Sequence, residues 1–161
     1  MRRPVLFWSV AVLLPILHFL LHVGFGLGPF VPDLLTLGLL IMAREVRSGT
    51  AAGIGFGLGL MEDAFSILSF GANALALTII GAVGSRSREL FVGESLTFLV
   101  SYLAVGTWMR FAIHWLASGP GLRPDMGEAL AIQAPLVALY TAGIGIAVLR
   151  ITGIWSGERG R

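Results

Sequence analysis

The chain has 161 residues and a formal net charge of +2, and 56% of its residues are hydrophobic while only 12% are charged. A soluble domain usually carries about 25% charged residues, and a fold of this size has too little interior to bury so much apolar surface. The composition therefore excludes an ordinary soluble domain, excludes a disordered chain, and indicates a membrane protein.

The chain contains no cysteine, and all of its basic side chains other than histidine are arginine. The lack of cysteine excludes disulfides, thiolate chemistry and cysteine-ligated metals. The arginines form no cluster and no basic helix face, so the basic character predicts no binding to nucleic acid.

Six apolar runs follow one another along the chain, separated by turn-forming residues or by arginines. Their approximate spans are 4–23, 31–43, 49–68, 72–84, 95–116 and 129–149. The first run is longer than the apolar part of a signal peptide and no small-residue cleavage site follows it, so we interpret it as a membrane helix. The second and fourth runs are shorter than the roughly 20 residues that cross a bilayer, so we expect them either to pack centrally or to be bordered by irregular segments in the outer leaflet.

The arginines predict the orientation of these runs. With the N-terminus in the cytoplasm, the cytoplasmic arginines are Arg2, Arg3, Arg44, Arg47, Arg86, Arg88, Arg150, Arg159 and Arg161. Arg123 alone falls in an outer loop, and Arg110 lies within a span. This asymmetry follows the positive-inside rule. The sequence thus predicts an all-α integral membrane protein, a single domain over residues 1–161, with six transmembrane helices and both termini cytoplasmic.

The third run is rich in glycine. Gly53 with Gly57, and Gly55 with Gly59, form two small-xxx-small pairs. In lipid, such pairs permit close helix packing, so we expect neighbouring helices on more than one face of this run. A phosphate-binding glycine loop is disfavoured, because no strand precedes the glycines and no lysine follows them.

The polar residues within the runs share one depth, in the outer half of the bundle. They are His18, His22, Asp33, Glu62, Asp63, Asn73, Arg110, His114, Glu128 and Gln133. Charges at membrane depth are costly unless they are paired or face a wet cavity. Arg110 is the only basic residue well inside a span, so we predict a buried pair or triad that joins it to Glu62 and Asp63.

Several functions remain open for this layer. His18 and His22 have the i, i+4 spacing of a helical metal pair, which would need a third ligand. Glu62 and Asp63 could relay protons, and the layer could form a small-molecule pocket open to the outside. The interpretation we favour is a structural network of polar side chains that holds the helices together or contacts a partner. We predict no catalytic residue, since no Ser/His/Asp arrangement has a recognisable local context. We also predict no metal and no cofactor, and histidines at the wet end of a span are commonly solvent-facing or hydrogen-bonded.

Part of the chain resembles a known family. Pro32-Asp33-Leu34-Leu35 opens the second run, Gly55 to Asp63 form a glycine-rich segment ending in two acids, and Ser66, Gly71 and Asn73-Ala74-Leu75 follow. This order and spacing resemble the rod shape-determining protein MreD family over residues 31–84. Ser69 stands where the family usually has proline, and Ile67 where glycine is common.

The resemblance implies a non-enzymatic subunit of the bacterial rod complex, or elongasome, in the cytoplasmic (inner) membrane. Such a subunit would act with MreC, and through it with RodA, a class B penicillin-binding protein and MreB, to organise or regulate peptidoglycan synthesis and cell shape. The family is similar in fold to the S-components of energy-coupling factor transporters. A substrate-binding subunit of a vitamin or small-molecule transporter is therefore the alternative.

Two outer loops, at residues 24–32 and 117–128, are the expected contacts for an MreC-like partner. Trp108 and Trp115 lie near the outer end of the fifth run, where tryptophan commonly anchors a helix at the membrane interface.

Overall fold

The computed structural model describes residues 4–24, 32–66, 69–90 and 95–154. Several predictions concern residues outside these ranges: the outer loop over residues 25–31, the end of the third run at residues 67 and 68, and Arg2, Arg3, Arg159 and Arg161.

The described residues form six α-helices and contain no strand. The helices are α1 (Pro4–Phe19), α2 (Leu34–Ala43), α3 (Ser48–Asp63), α4 (Ala72–Leu90), α5 (Leu96–Ala117) and α6 (Ala134–Ile151). A π-helical turn, Leu20–Gly24, extends α1, and a second π-helical segment, Gly127–Gln133, precedes α6. The all-helical class predicted from the sequence is confirmed.

Three helical stretches in the described ranges are long and apolar enough to cross a membrane: Pro4–His22, Leu96–Ala117 and Gly127–Ile151. Large apolar side chains on their outer faces are exposed, including Val5 and Leu13 of α1 and Leu136 and Leu139 of α6. Apolar surface of this extent is stable in lipid and costly in water. The molecule is therefore a membrane protein, while the crossing of all six helices remains a prediction.

Helix α2 is the centre of the bundle. It contacts each of the other five helices, and all ten of its residues are buried. At 1.5 Å per residue it is about 15 Å long, roughly half the thickness of a bilayer core. Enclosure by its neighbours removes the contact with lipid that so short a helix could not satisfy, as expected for the second run.

Helices α3 and α4 pack backbone to backbone. A Cβ atom placed on Gly55 or Gly59 would overlap the backbone of Leu77 or Ala74, and one on Gly81 would overlap the carbonyl of Ala51. Because only glycine lacks that atom, these positions fix how closely the two helices approach. The pair Gly55 and Gly59 thus acts as the sequence predicts, and Gly81 is its counterpart on α4.

The other glycine pair behaves differently. Gly53 and Gly57 are exposed, and a Cβ atom on either would meet no atom within 4 Å. Helix α3 contacts α2 as well as α4, but Gly53 and Gly57 take part in neither contact within the described residues. The physical reason is that residues 53 and 57 lie on the face of α3 opposite the one that meets α4.

Two further boundaries differ from the sequence prediction. Helix α3 ends at Asp63, before the predicted end at residue 68, and α4 continues to Leu90, beyond residue 84. The apolar run of α4 ends at the first charged residues, but the helix continues through them. Ser85 of this extension is buried, and its hydroxyl donates to the carbonyl of Val46 at 2.6 Å.

The fourth run, which is the other short one, is only partly enclosed by the bundle. Helix α4 contacts α2, α3 and α5, but its Leu75 and Val83 side chains are exposed.

Candidate functional site

The predicted polar residues lie together at one end of the bundle, which we call the cavity end. It combines the end of α1, the start of α2, the end of α3, the start of α4 and the second half of α5. The hydrogen bonds described below join the segments of α2 to α5, and His18 of α1 lies 4.0 Å from Glu62 of α3, so successive helices alternate in direction. This alternation brings side chains that are distant in sequence to a common depth.

Arg110 is the centre of this end. It is almost fully buried, and its Nη1 donates to Asp33 Oδ2 at 2.7 Å. Its Nη2 donates to Glu62 Oε2 at 2.5 Å and to Asn73 Oδ1 at 2.9 Å. One guanidinium therefore joins α2, α3, α4 and α5 through charge-assisted hydrogen bonds.

The buried triad has a different membership from the one that the sequence predicts. Glu62 is present as expected, but the second carboxylate is that of Asp33, and Asp63 makes no ion pair with Arg110. Adjacent residues on a helix project about 100° apart, so Glu62 and Asp63 cannot both face the same guanidinium.

Asp63 instead caps the start of α4. Its Oδ2 accepts from the backbone N–H groups of Gly71 at 3.0 Å and Ala74 at 2.9 Å, and its Oδ1 accepts from that of Asn73 at 3.1 Å. These donors would otherwise be unsatisfied at a helix start. Gly71 has φ +94°, a conformation that glycine adopts readily, and this turn returns the chain onto α3.

Asp33 joins three helices. Its Oδ1 accepts from the backbone N–H of Thr36 at 3.0 Å, which caps α2, while its Oδ2 binds Arg110. Its own backbone N–H donates to Thr141 Oγ of α6 at 3.0 Å. Sequence reasoning placed Asp33 in the polar layer but missed Thr36 and Thr141, because threonine within an apolar run gives no signal of a distant partner.

All three histidines of the chain lie around this network. The rings of His18 and His22 stack with centroids 5.1 Å apart, and His18 Nε2 is 4.0 Å from Glu62 Oε1. His114 is half-buried, one turn after Arg110 on α5. Within the described ranges, no three His, Cys, Asp or Glu side chains form a group that could hold a metal ion. The i, i+4 histidines therefore stack on each other and do not assemble a metal site there.

A cavity of about 610 Å³ opens at this end. Polar side chains of the network line it, including His18, Glu62, Arg110 and His114, and aromatic rings complete its wall. The aromatic lining residues are Phe19, Phe65, Phe111 and Trp115. Ligand pockets commonly have this size and this combination of an apolar wall with few polar groups.

Some buried polar atoms of this region have no hydrogen-bond partner among the described residues. They are His18 Nδ1, Thr36 Oγ, Thr107 Oγ and Arg110 Nε. Unsatisfied buried polar groups are uncommon because each costs about 1–3 kcal/mol. His18 and Arg110 both line the cavity, so its wall has hydrogen-bonding capacity that the described residues do not use.

The connection from α5 to α6 covers one side of the cavity. Trp108 Nε1 donates to the carbonyl of Leu130, and Trp115 Nε1 to that of Pro124, both at 3.0 Å. Gln133 Nε2 donates to Glu128 Oε1 at 2.9 Å at the rim. The two tryptophans thus tie α5 to this connection, a structural role beyond the membrane anchoring expected from the sequence.

Comparison with known protein families gives a match. A family model described as rod shape-determining protein MreD matches residues 2–118, which is well over half of the chain and includes every residue bonded to the Arg110 guanidinium. No curated protein and no solved structure matches the chain. The family resemblance seen at residues 31–84 is confirmed and extends beyond them, while the likeness to transporter S-components stays a prediction.

Proposed function

The chain belongs to the MreD family of rod shape-determining proteins, and from that premise we propose that it is a multi-pass subunit of the bacterial rod complex in the cytoplasmic membrane. In this proposal it acts with MreC to organise or regulate peptidoglycan synthesis and cell shape. It performs no chemistry itself, and it reaches RodA, a class B penicillin-binding protein and MreB through MreC.

The family match is the observation that carries this proposal. The arrangement of the molecule is compatible with it, because the described residues form one helical bundle whose centre, α2, is enclosed by the other helices. The buried Arg110 network ties four helices together, so it can hold the surface above it in one shape. A rigid surface of this kind suits a subunit that positions a partner.

The distribution of charge supports an orientation. Arg44, Arg47, Arg86 and Arg150 belong to helix ends away from the cavity, whereas Arg110 and Arg123 lie at the cavity end. By the positive-inside rule, the arginine-rich end would face the cytoplasm and the cavity would open on the extracytoplasmic side. The α5–α6 connection, with exposed Leu122, would then meet MreC.

The experiment is co-purification of MreC with this protein after solubilisation in mild detergent. We expect MreC to be recovered with the wild-type chain and about tenfold less of it with Leu122→Ala. The matched control is Ile151→Ala, which truncates an aliphatic side chain at the opposite end that is more exposed than Leu122 (85% against 42%) and should leave recovery unchanged. Absence of MreC, together with normal cell width after depletion of the protein, would refute the proposal.

The cavity favours a second candidate function, a substrate-binding subunit of a small-molecule transporter. Its size of about 610 Å³ and its mixed aromatic and polar wall are those of a ligand pocket. Mass spectrometry of the purified protein distinguishes the two. A vitamin such as biotin, riboflavin or thiamine retained at stoichiometric amount supports transport, whereas MreC recovered without any vitamin supports the rod-complex function.

A further inference from the structure

The cavity end carries more negative than positive residues. Its acidic residues are Asp33, Glu62, Asp63, Asp125 and Glu128, and its arginines are Arg110 and Arg123. With the histidines counted as neutral, this part of the molecule is therefore acidic although the whole chain has a net charge of +2. Such a site attracts cations in preference to anions.

Both arginines at this end are already engaged. The two terminal nitrogens of Arg110 bind Asp33, Glu62 and Asn73. Arg123 lies over the ring of Trp115 at 4.9 Å, and it donates through Nε to the carbonyl of Ser118 at 2.8 Å. An anionic ligand would have to displace these contacts, so the positive charge here serves the fold.

Glu62, in contrast, has one carboxylate oxygen that is not used by the arginine. Its Oε2 accepts from Arg110, whereas its Oε1 lies 4.0 Å from His18 Nε2, beyond hydrogen-bonding distance. The side chain lines the cavity and is 20% exposed. A donor that enters the cavity can therefore reach a carboxylate whose other oxygen is fixed in place.

A second observation also points to a ligand. His18 is 96% buried, lines the same cavity, and its Nδ1 has no hydrogen-bond partner among the described residues. In a neutral imidazole one ring nitrogen donates and the other accepts, so His18 offers both kinds of hydrogen bond. Glu62 and His18 together provide more than one polar contact for a small donor group.

The aromatic wall suits the rest of such a ligand. Phe65, Phe111 and Trp115 line the cavity, and Phe111 already lies 5.6 Å from the guanidinium carbon of Arg110. Aromatic faces attract cations through their quadrupole and also pack against apolar groups.

We propose that the cavity binds a primary ammonium group carried on an apolar body. The ammonium donates to Glu62 Oε1 and to His18, and the apolar body packs against the aromatic wall. The inference does not depend on the MreC partnership, because it rests on the cavity alone. The amine could belong to a soluble molecule or to an aminated lipid headgroup, which share this chemistry.

The test uses three probes of similar size with the protein purified in detergent: 2-phenylethylamine, 2-phenylethanol and phenylacetate. Binding is followed by tryptophan fluorescence, because Trp115 lines the cavity. We expect the amine to bind at least tenfold more tightly than the alcohol, and phenylacetate to bind least. Equal or tighter binding of phenylacetate, or no binding of the amine, would overturn the proposal.

Variants assign the preference to particular residues. Glu62→Gln should reduce the preference for amine over alcohol at least fivefold, whereas Phe65→Ala should weaken both probes to a similar extent. Glu45→Gln removes the same charge at the opposite end of the bundle and should change neither affinity. If Glu62→Gln keeps the wild-type preference for amine over alcohol, the proposed contact with Glu62 is wrong. If that variant fails to fold, the three probes with the wild-type protein still test the proposal.

Native mass spectrometry then identifies the source of the amine. Retention of phosphatidylethanolamine, but not of phosphatidylcholine, in the wild type and its loss in Glu62→Gln would assign the lipid headgroup. Binding of phenylethylamine without retention of either lipid would support a soluble amine.

Discussion

The two ends of the bundle are held together by different kinds of bonds around the same central helix. At the cavity end, Arg110 binds the carboxylates of Asp33 and Glu62. At the opposite end, the Tyr102 hydroxyl donates to the carbonyl of Leu40 at 2.9 Å and lies 3.3 Å from that of Gly84. Among the described residues, the bonds thus include a buried guanidinium with its carboxylates at one end, and the neutral hydroxyls of Tyr102 and Ser85 at the other.

The difference has an energetic consequence. A buried charge that loses its partner must be desolvated without compensation, which is far costlier than losing a neutral hydrogen bond. A single substitution that removes one charge of the Arg110 network should therefore lower the free energy of unfolding markedly. The opposite end should tolerate substitution of Tyr102 better, because the loss of a neutral hydrogen bond leaves no unpaired buried charge.

The largest expected effect is that of Arg110→Met. The substitution leaves Asp33 and Glu62 without their cation, and we expect a loss of about 3–5 kcal/mol in the free energy of unfolding. Denaturation of the purified protein in detergent measures it. Adding Asp33→Asn and Glu62→Gln removes the unpaired charges and should restore part of the stability. A single variant as stable as the wild type would contradict the charged network as the basis of this end.

Between the two ends, the glycines of α3 provide a matched comparison of packing. Gly55→Ala places a Cβ atom against the backbone of Leu77, and we expect a destabilisation of about 1–3 kcal/mol. Gly53→Ala, on the exposed face of the same helix, should be neutral or stabilising by up to about 1 kcal/mol because alanine is the better helix former. Thermal unfolding of both variants measures this, and equal melting temperatures would show that α3 and α4 do not pack as closely as described.

Asp63→Ala tests the carboxylate that binds no arginine. The loss of the α4 cap should cost about 1–2 kcal/mol, less than the loss of Arg110. Hydrogen exchange should become faster at the backbone amides of Gly71, Asn73 and Ala74. The amide of Thr36, which Asp33 caps, serves as the internal control, and faster exchange there as well would mean that the two acids do not act separately.

Tyr102→Phe should have the smallest effect, a loss of about 0.5–1.5 kcal/mol, because it removes only neutral hydrogen bonds. Tyr140→Phe is the control, since Tyr140 is the other tyrosine of the chain and is exposed. Melting temperatures measure both. A loss at Tyr102 as large as that of Arg110→Met would remove the contrast between the ends.

Much of the fold could be predicted from the sequence because membrane helices appear in it as apolar runs. The six runs correspond to six helices, and the shortness of the second run correctly indicated a central position. The extension of α4 to Leu90 could not be predicted from hydropathy, because a helix continues into polar residues when its hydroxyls find partners, as Ser85 does with Val46.

The sequence placed the polar residues at one depth but did not predict which of them bond to one another. The pairing of Arg110 with Glu62 could be predicted from their shared depth alone, because a buried guanidinium needs a carboxylate. The choice between Asp33 and Asp63 depends on the rotation of α2 and α3 about their axes, and hydropathy does not record that rotation. The same holds for the two glycine pairs, because both have equivalent spacing and only the position of α4 distinguishes them.

The sequence by itself determined that this chain belongs in a membrane, which family it belongs to, and that its ionisable side chains share one depth, because each of these is a matter of composition and order along the chain. The tertiary structure decided which carboxylate neutralises Arg110, which caps a helix, and which glycine face is covered. Those choices depend on how neighbouring helices rotate and approach, and they are fixed only when the backbones pack.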